Sequence, residues 1–171
     1  MSYGSIEAIK ERCKREGIEF WKAVQIEDCS ERAVSEESSW KEMTRMWQIM
    51  CENVDTYEPE RISRSGLVGK EGGLMEEYQK KGDTLCGDFM AKVMTVALKM
   101  GCNNACMKRI IAAPTAGACG VLPAVLVPFF KEYEVPEEKM VEAMNVAAGA
   151  GQVIASRAFR AGAAGGCQAE N

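Results

Sequence analysis

Apolar residues recur at three- and four-residue spacing along most of this chain, and no stretch alternates apolar and polar convincingly enough for a half-buried strand. Residues Ser5 to Cys29 carry Ile6, Ile9, Cys13, Phe20 and Val24 near helical spacing, with charges between them. The pattern predicts one long amphipathic helix, weakened at Gly17 by up to ~1 kcal/mol relative to alanine. A second helix is predicted from Ser38 or Ser39 to Asn53, with Ser39 and Glu42 as a capping box. Trp40, Met43, Trp47 and Met50 form its apolar stripe, which suits a core or a partner interface better than a cofactor box.

Pro59 and the glycines 66, 69, 72 and 73 break the pattern between Tyr57 and Gly73, which predicts a flexible loop around Ser63, Ser65 and Lys70. Its glycine spacing matches neither a P-loop nor a dinucleotide-binding turn. A short helix over Leu74 to Lys81 should end at Gly82. The next should start at Asp83 or Thr84 and stop at Gly101, with Phe89, Val93, Val96, Ala97 and Met100 inward. Val135-Pro136-Glu137-Glu138 is a strong helix start, with proline in front of first-turn acids. That helix should run to about Phe159, and Gly149 and Gly151 in its middle suggest close approach of another backbone.

The centre of the chain is Arg109 to Leu126, RIIAAPTAGACGVLPAVL. Pro114 pushes Ala113 towards an extended conformation, so a helix running in from Met107 should stop there. Ala116, Gly117, Ala118 and Gly120 allow a tight turn. Pro123 suits the first turn of a new helix over Leu122 to Tyr133, and Pro128 should kink or split it. N–H groups at the start of that helix would point into the loop, where an anion such as a carboxylate could sit. A strand over Val121 to Val127 is disfavoured by the two prolines. The fold class is all-α, a single helical domain over residues 1–171 with small-residue loops between helices.

Composition narrows the chemistry. The net charge is −4, so no basic excess exists for phosphate contacts, which argues against nucleic acid. No apolar run is long enough to span a membrane and the N-terminus is no signal peptide, so a cytoplasmic protein is expected. Eight cysteines are scattered without a CxxC pair, which reads as free thiols rather than a disulfide framework. Cys102 and Cys106 share a helix face. Buried free thiols are the favoured reading there over a two-thiolate metal site. Histidine is absent, so metal chemistry here would use thiolate or oxygen ligands.

Three segments carry a resemblance. Asn104-Ala105-Cys106-Met107-Lys108-Arg109-Ile110-Ile111-Ala112-Ala113-Pro114-Thr115-Ala116-Gly117 resembles the signature of the α chain of bacterial iron–sulfur-dependent L-serine dehydratase. Ser63-Arg64-Ser65-Gly66-Leu67 with Gly69 resembles that family's Ser-Gly-Leu-x-Gly loop. Gly162 to Glu170 resembles its segment around the first cluster-ligating cysteine. The three come in the family's order and spacing, which is more specific than any one of them.

The resemblance implies conversion of L-serine to pyruvate and ammonia without pyridoxal phosphate. A [4Fe–4S] cluster with one open iron would act as Lewis acid on the leaving hydroxyl. It implies Cys167 as one cluster ligand, and Ser63, Ser65, Asn104, Thr115, Ala116 and Gly117 as substrate-binding positions. A β chain and oligomeric assembly are implied as partners. The general base is not assigned: a lysine, a cysteine or a metal-bound group are the options without histidine. Two departures stand out. Ala164 replaces the family's glutamate in Gly-Ala-Glu-Gly-Gly-Cys, and two further ligand cysteines expected downstream have no match here. These 171 residues alone are therefore expected to form no stable cluster and to be inactive. The competing readings are a cysteine desulfidase-like lyase with the same cluster logic and a non-catalytic helical module that binds a partner subunit.

Overall fold

The computed structural model describes residues 3–113 and 116–157. Among them lie seven α-helices and no strand, as the all-α expectation requires. They are α1 (Ile6–Glu16), α2 (Phe20–Arg32), α3 (Glu36–Asp55), α4 (Glu71–Lys80), α5 (Asp88–Ala105), α6 (Val121–Glu132) and α7 (Glu137–Arg157). The chain divides into two compact units, with boundaries inside α3 after Trp47 and again after Val135.

In the first unit, α1 and α7 both pack on α2. Ile9, Ala23, Val24 and Val153 form its buried centre, with Ile18 and Phe20 against it. The single helix expected over Ser5 to Cys29 is two. Gly17 takes the left-handed conformation (φ 65°) and donates its N–H to Cys13 O, and Ile18 N does the same at 3.2 Å. This satisfies an orphan carbonyl that a helix end leaves open. The break lets α1 fold back on α2 and bury Ile9 completely, which a continuous helix could not do.

The start of α3 also differs. Ser35 caps it, its Oγ accepting the Ser38 N–H at 3.2 Å, with Glu36 and Glu37 favourable in the first turn. Ser39, expected as the cap, is buried inside the helix and donates to Asp28 Oδ2 at 3.2 Å. The stripe on α3 is core: Trp47 and Met50 are each 1% exposed. α7 starts where Pro136 predicted. The two mid-helix glycines of α7 behave differently. A Cβ on Gly149 would lie 2.5 Å from Val24 Cγ2 and 3.3 Å from Phe20 Cε1, whereas one on Gly151 would meet nothing within 4 Å. The expected approach of another backbone is found at neither: side chains of α2 crowd Gly149, and nothing approaches Gly151.

In the second unit, α5 packs against α4 and against α6. α5 and α6 run antiparallel: the Phe89 and Tyr133 rings lie 6.0 Å apart at one end, and Gly120 abuts Ala97 at the other. Helix α4 begins at Glu71, so Gly72 and Gly73 are helical rather than loop. Helix α5 does not stop at Gly101. It continues to Ala105, because Cys102 and Asn103 are 3% and 2% exposed and gain partners by staying helical. Met107 makes the stop instead, at φ 59°, with Lys108 N donating to Asn103 O at 2.9 Å. The helix expected over Met107 to Ala113 is consequently an irregular connection. Pro123 lies in the first turn of α6 as expected, but Pro128 does not split that helix and is buried within it.

Gly149 and Gly151 offer a matched test. Gly151→Ala should stabilise the chain by up to ~1 kcal/mol through helix propensity. Gly149→Ala should destabilise it by roughly 1–3 kcal/mol, because the new methyl overpacks against Val24. Urea unfolding midpoints measure both; equal shifts would refute the close contact.

Candidate functional site

The segment between α3 and α4 is a loop only in outline, for its return is bonded on all sides. Tyr57 Oη donates to Gly69 O at 2.7 Å and accepts the Gly73 N–H at 3.0 Å. The Glu71 carboxylate accepts the Gly69 N–H at 2.8 Å and the Cys102 thiol at 3.2 Å. Gly69 itself cannot be replaced: at φ 155° any Cβ would run into the Arg61 carbonyl. Burial pushes the Tyr57 phenol and the Cys102 thiol up from their ordinary pKa values. The Gly69 N–H bond, with further help from the Cys102 thiol, holds the Glu71 carboxyl below the usual carboxylate range. Cys102 is therefore a neutral donor and Glu71 a charged acceptor at neutral pH.

This anchoring presents the two serines. Ser63 and Ser65 Oγ lie 3.0 Å apart. Ser63 N donates to Val68 O at 2.7 Å, Val68 N to Ser63 Oγ at 3.3 Å and Leu67 N to Ser65 Oγ at 3.4 Å. Ser63 is 9% exposed while Ser65 is open to solvent. The same loop is stapled to the end of α5. An Arg61 guanidinium nitrogen donates to Cys106 O at 3.3 Å, and the Cys106 thiol faces Arg61 O at 3.7 Å.

Asn104 stands two residues before that staple. Its Nδ2 donates to Ala116 O at 2.8 Å. Of the residues expected at the site, Asn104 and Ala116 are thus joined directly. Gly117 follows in the same exposed turn, and the loop of Ser63 and Ser65 is tied to the end of α5 through Arg61 and Cys106 and through Glu71 and Cys102. The turn before α6 spends two of its N–H groups internally, Cys119 N on Ala116 O at 3.4 Å and Val121 N on Ala118 O at 3.0 Å. Those two are not available to an anion. Thr115 and Cys167 lie outside the described residues.

Four further residues organise the site and were missed by pattern. Tyr57 and Glu71 were passed over because their partners are backbone groups of one glycine. Asn53 and Asn103 are buried, at 6% and 2% exposure. Asn103 Nδ2 donates to Asn53 O at 2.7 Å and to its Oδ1 at 3.2 Å, and Asn53 Nδ2 donates to Arg109 O. Two asparagines at apolar stripe positions were the available signal, since a buried amide needs a dedicated partner.

Among the described residues, no group of three cysteine, aspartate or glutamate side chains is arranged to hold a metal. Cys102, Cys106 and Cys119 are buried singly, each against its own acceptor. These three do not fit a cluster. No helix among the described residues is long and apolar enough to cross a membrane.

A helical chain whose small-residue turn is clamped by an asparagine, beside a fixed serine–glycine loop, defines the class. A sequence model of that class, described as "Serine dehydratase alpha chain", matches residues 15–171, and the chain belongs to this family. It is 31% identical over 159 residues to the L-serine dehydratase alpha chain of Peptoniphilus asaccharolyticus, covering 92% of this chain and 54% of that one. It is 35% identical over 108 residues to the probable L-serine dehydratase alpha chain of Bacillus subtilis, covering 63% and 36%. The L-serine dehydratase TdcG of Escherichia coli is 30% identical over 132 residues, covering 74% and 29%. The chain therefore spans about half the length of the first of these relatives and less of the others. No solved structure matches it significantly.

Glu71→Gln should loosen the loop, because the charged acceptor of Gly69 N–H is lost. Hydrogen exchange at residues 62–69 is expected to speed up several-fold. The wild-type chain should show the same change as pH falls through the depressed pKa of Glu71, since stabilisation by a depressed carboxyl is present above that range and lost below it. Unaltered exchange in both cases would show that Glu71 does not anchor the loop.

Proposed function

We propose that this chain is the α-chain portion of an iron–sulfur L-serine ammonia-lyase, which dehydrates and deaminates L-serine to pyruvate and ammonia. The observation that carries the reading is the Asn104 clamp on Ala116, set two residues from the staple that fixes the serine loop. The order of the matched segments and the names of the relatives support it. The reaction removes an α-proton and a hydroxyl from serine; the resulting aminoacrylate becomes an imine and hydrolyses.

In this reading, Asn104 fixes the turn, and Ala116 and Gly117 present backbone to the substrate's carboxylate and amine, with Thr115 a further substrate-binding position by resemblance. Side chains larger than these would fill the space. Ser63 and Ser65 bond each other through one hydroxyl hydrogen, so the other is free to reach the substrate. A cluster, when bound, supplies a Lewis acid to the leaving hydroxyl, with Cys167 as the ligand this chain matches. A β chain is the partner subunit that completes the assembly.

Anaerobic reconstitution of the complete assembly with iron and sulfide, followed by pyruvate release from L-serine, tests the proposal. Turnover is expected, and Asn104→Ala should lower kcat/KM by about tenfold, the scale of one lost hydrogen bond to the turn. An iron-loaded assembly that leaves L-serine intact would sink the reading, and preferential release of sulfide from L-cysteine would transfer it to the desulfidase chemistry.

A further inference from the structure

Two opposite charges line one cleft of the second unit without closing on each other. The cleft holds about 170 Å³ between Ile49, Glu52, Asn53, Thr56, Lys108 and Arg109. That is room for about five or six waters, or for one small organic molecule. Lys108 is already committed: it pairs with Glu58 at 2.8 Å and donates to Thr56 O. Neighbouring acids are committed too, Asp55 to Lys131 at 2.6 Å and Glu60 to Lys70 at 3.2 Å. The Glu52 carboxylate and the Arg109 guanidinium differ. Among the described residues, neither has a side-chain hydrogen bond or an ion pair; only their backbone carbonyls are engaged.

The floor of this cleft is fixed while the charges are not. Asn53 donates to Arg109 O and is itself held by Asn103 at 2.7 Å and 3.2 Å. The backbone of Arg109 is thereby pinned, and its guanidinium remains available. A guanidinium offers a forked pair of donors that matches a carboxylate, and a carboxylate offers the acceptors an ammonium needs. A ligand with one charge would leave one wall unmatched. A ligand with both, a few bonds apart, satisfies both.

We propose that this cleft binds a small α-amino-acid zwitterion, its carboxylate on Arg109 and its ammonium on Glu52, with a short side chain over Ile49 and Thr56. The volume admits alanine- or serine-sized ligands. The choice of L-serine as a probe rests on the function proposed above; the charge pattern does not. The cleft backs onto the residue preceding Asn104, so the same chemistry suits either substrate or a regulatory amino acid.

The experiment is an NMR titration of the full chain with L-serine, L-alanine, L-lactate and ethanolamine. The two amino acids should bind saturably. Lactate lacks the ammonium and ethanolamine lacks the carboxylate, and each should bind at least about tenfold more weakly. Arg109→Met and Glu52→Gln should each raise the Kd for L-serine at least about tenfold, with partial recovery in Arg109→Lys. Circular dichroism checks that the variants remain folded. Absence of amino-acid binding, or binding unaffected by both substitutions but lost in Asn104→Ala, overturns the cleft. The second result would leave the proposed function standing. In the complete assembly, a raised KM at unchanged kcat in both variants would assign the zwitterion to substrate and move the substrate's carboxylate and amine from the Ala116 turn to this cleft. Loss of amino-acid modulation at unchanged KM would assign it to regulation. No change in either overturns the proposal.

Discussion

A buried amide has to find partners inside the protein, and in the second unit that requirement is met by one pair, Asn53 and Asn103. Between them they engage the end of α3, the last turn of α5 and the connection at Arg109. Removing either side chain would leave the other with an unmet bond in a dry setting, which costs more than the bond itself is worth. The pair therefore dictates where α5 ends. Asn103 has to stay helical to face Asn53, and only then can Met107 turn the chain, with Lys108 N closing back on Asn103 O. Asn104 is one residue further round the same helix, so the clamp on Ala116 inherits its position from the pair.

The second constraint is a loop held without disulfides. Seven cysteines among the described residues are free, and three buried ones act as hydrogen-bonding groups. Cys102 and Glu71 are complementary in their pH response. A carboxyl with a depressed pKa contributes while it is charged, so its share vanishes as pH falls through that pKa. A thiol with a raised pKa is favoured neutral, so its share is lost as pH rises from the unfolded thiol value towards the folded one. The loop that carries Ser63 and Ser65 is thus held most firmly between these limits, where Glu71 is ionised and Cys102 is not.

Much of this was legible in the sequence, and the failures share a cause. Helical periodicity gave the all-α class, Pro136 with its acids gave the start of α7, and the small residues around Gly117 marked the turn that Asn104 clamps. Glycine was the weak point. Gly17 ends a helix, Gly101 sits inside one, Gly72 lies in the first turn of one, and Gly151 touches nothing. Local propensity counts each as a break worth about 1 kcal/mol, yet tertiary burial of a neighbour decides the outcome. Asn103 carries α5 past Gly101, and burial of Ile9 rewards the fold-back at Gly17. The residues that anchor the site were invisible for a related reason. Tyr57 and Glu71 act on the backbone of Gly69, and no spacing of side chains records a bond to a backbone group.

The cysteines take the reasoning one step further. Eight thiols in a chain without histidine suggest a soft-metal site, and Cys102, Cys106 and Cys119 are close together in sequence. Ligation requires the thiolate. Burial pushes the Cys102 and Cys119 thiols up, away from that form. Each would also have to leave a partner: Cys102 the Glu71 carboxylate that anchors the loop, Cys119 the Met100 carbonyl. Recruiting Cys102 to iron would take a bond from the carboxylate that anchors the loop. These buried thiols are therefore poorly suited to ligation. The buried thiols then serve the site by holding its backbone.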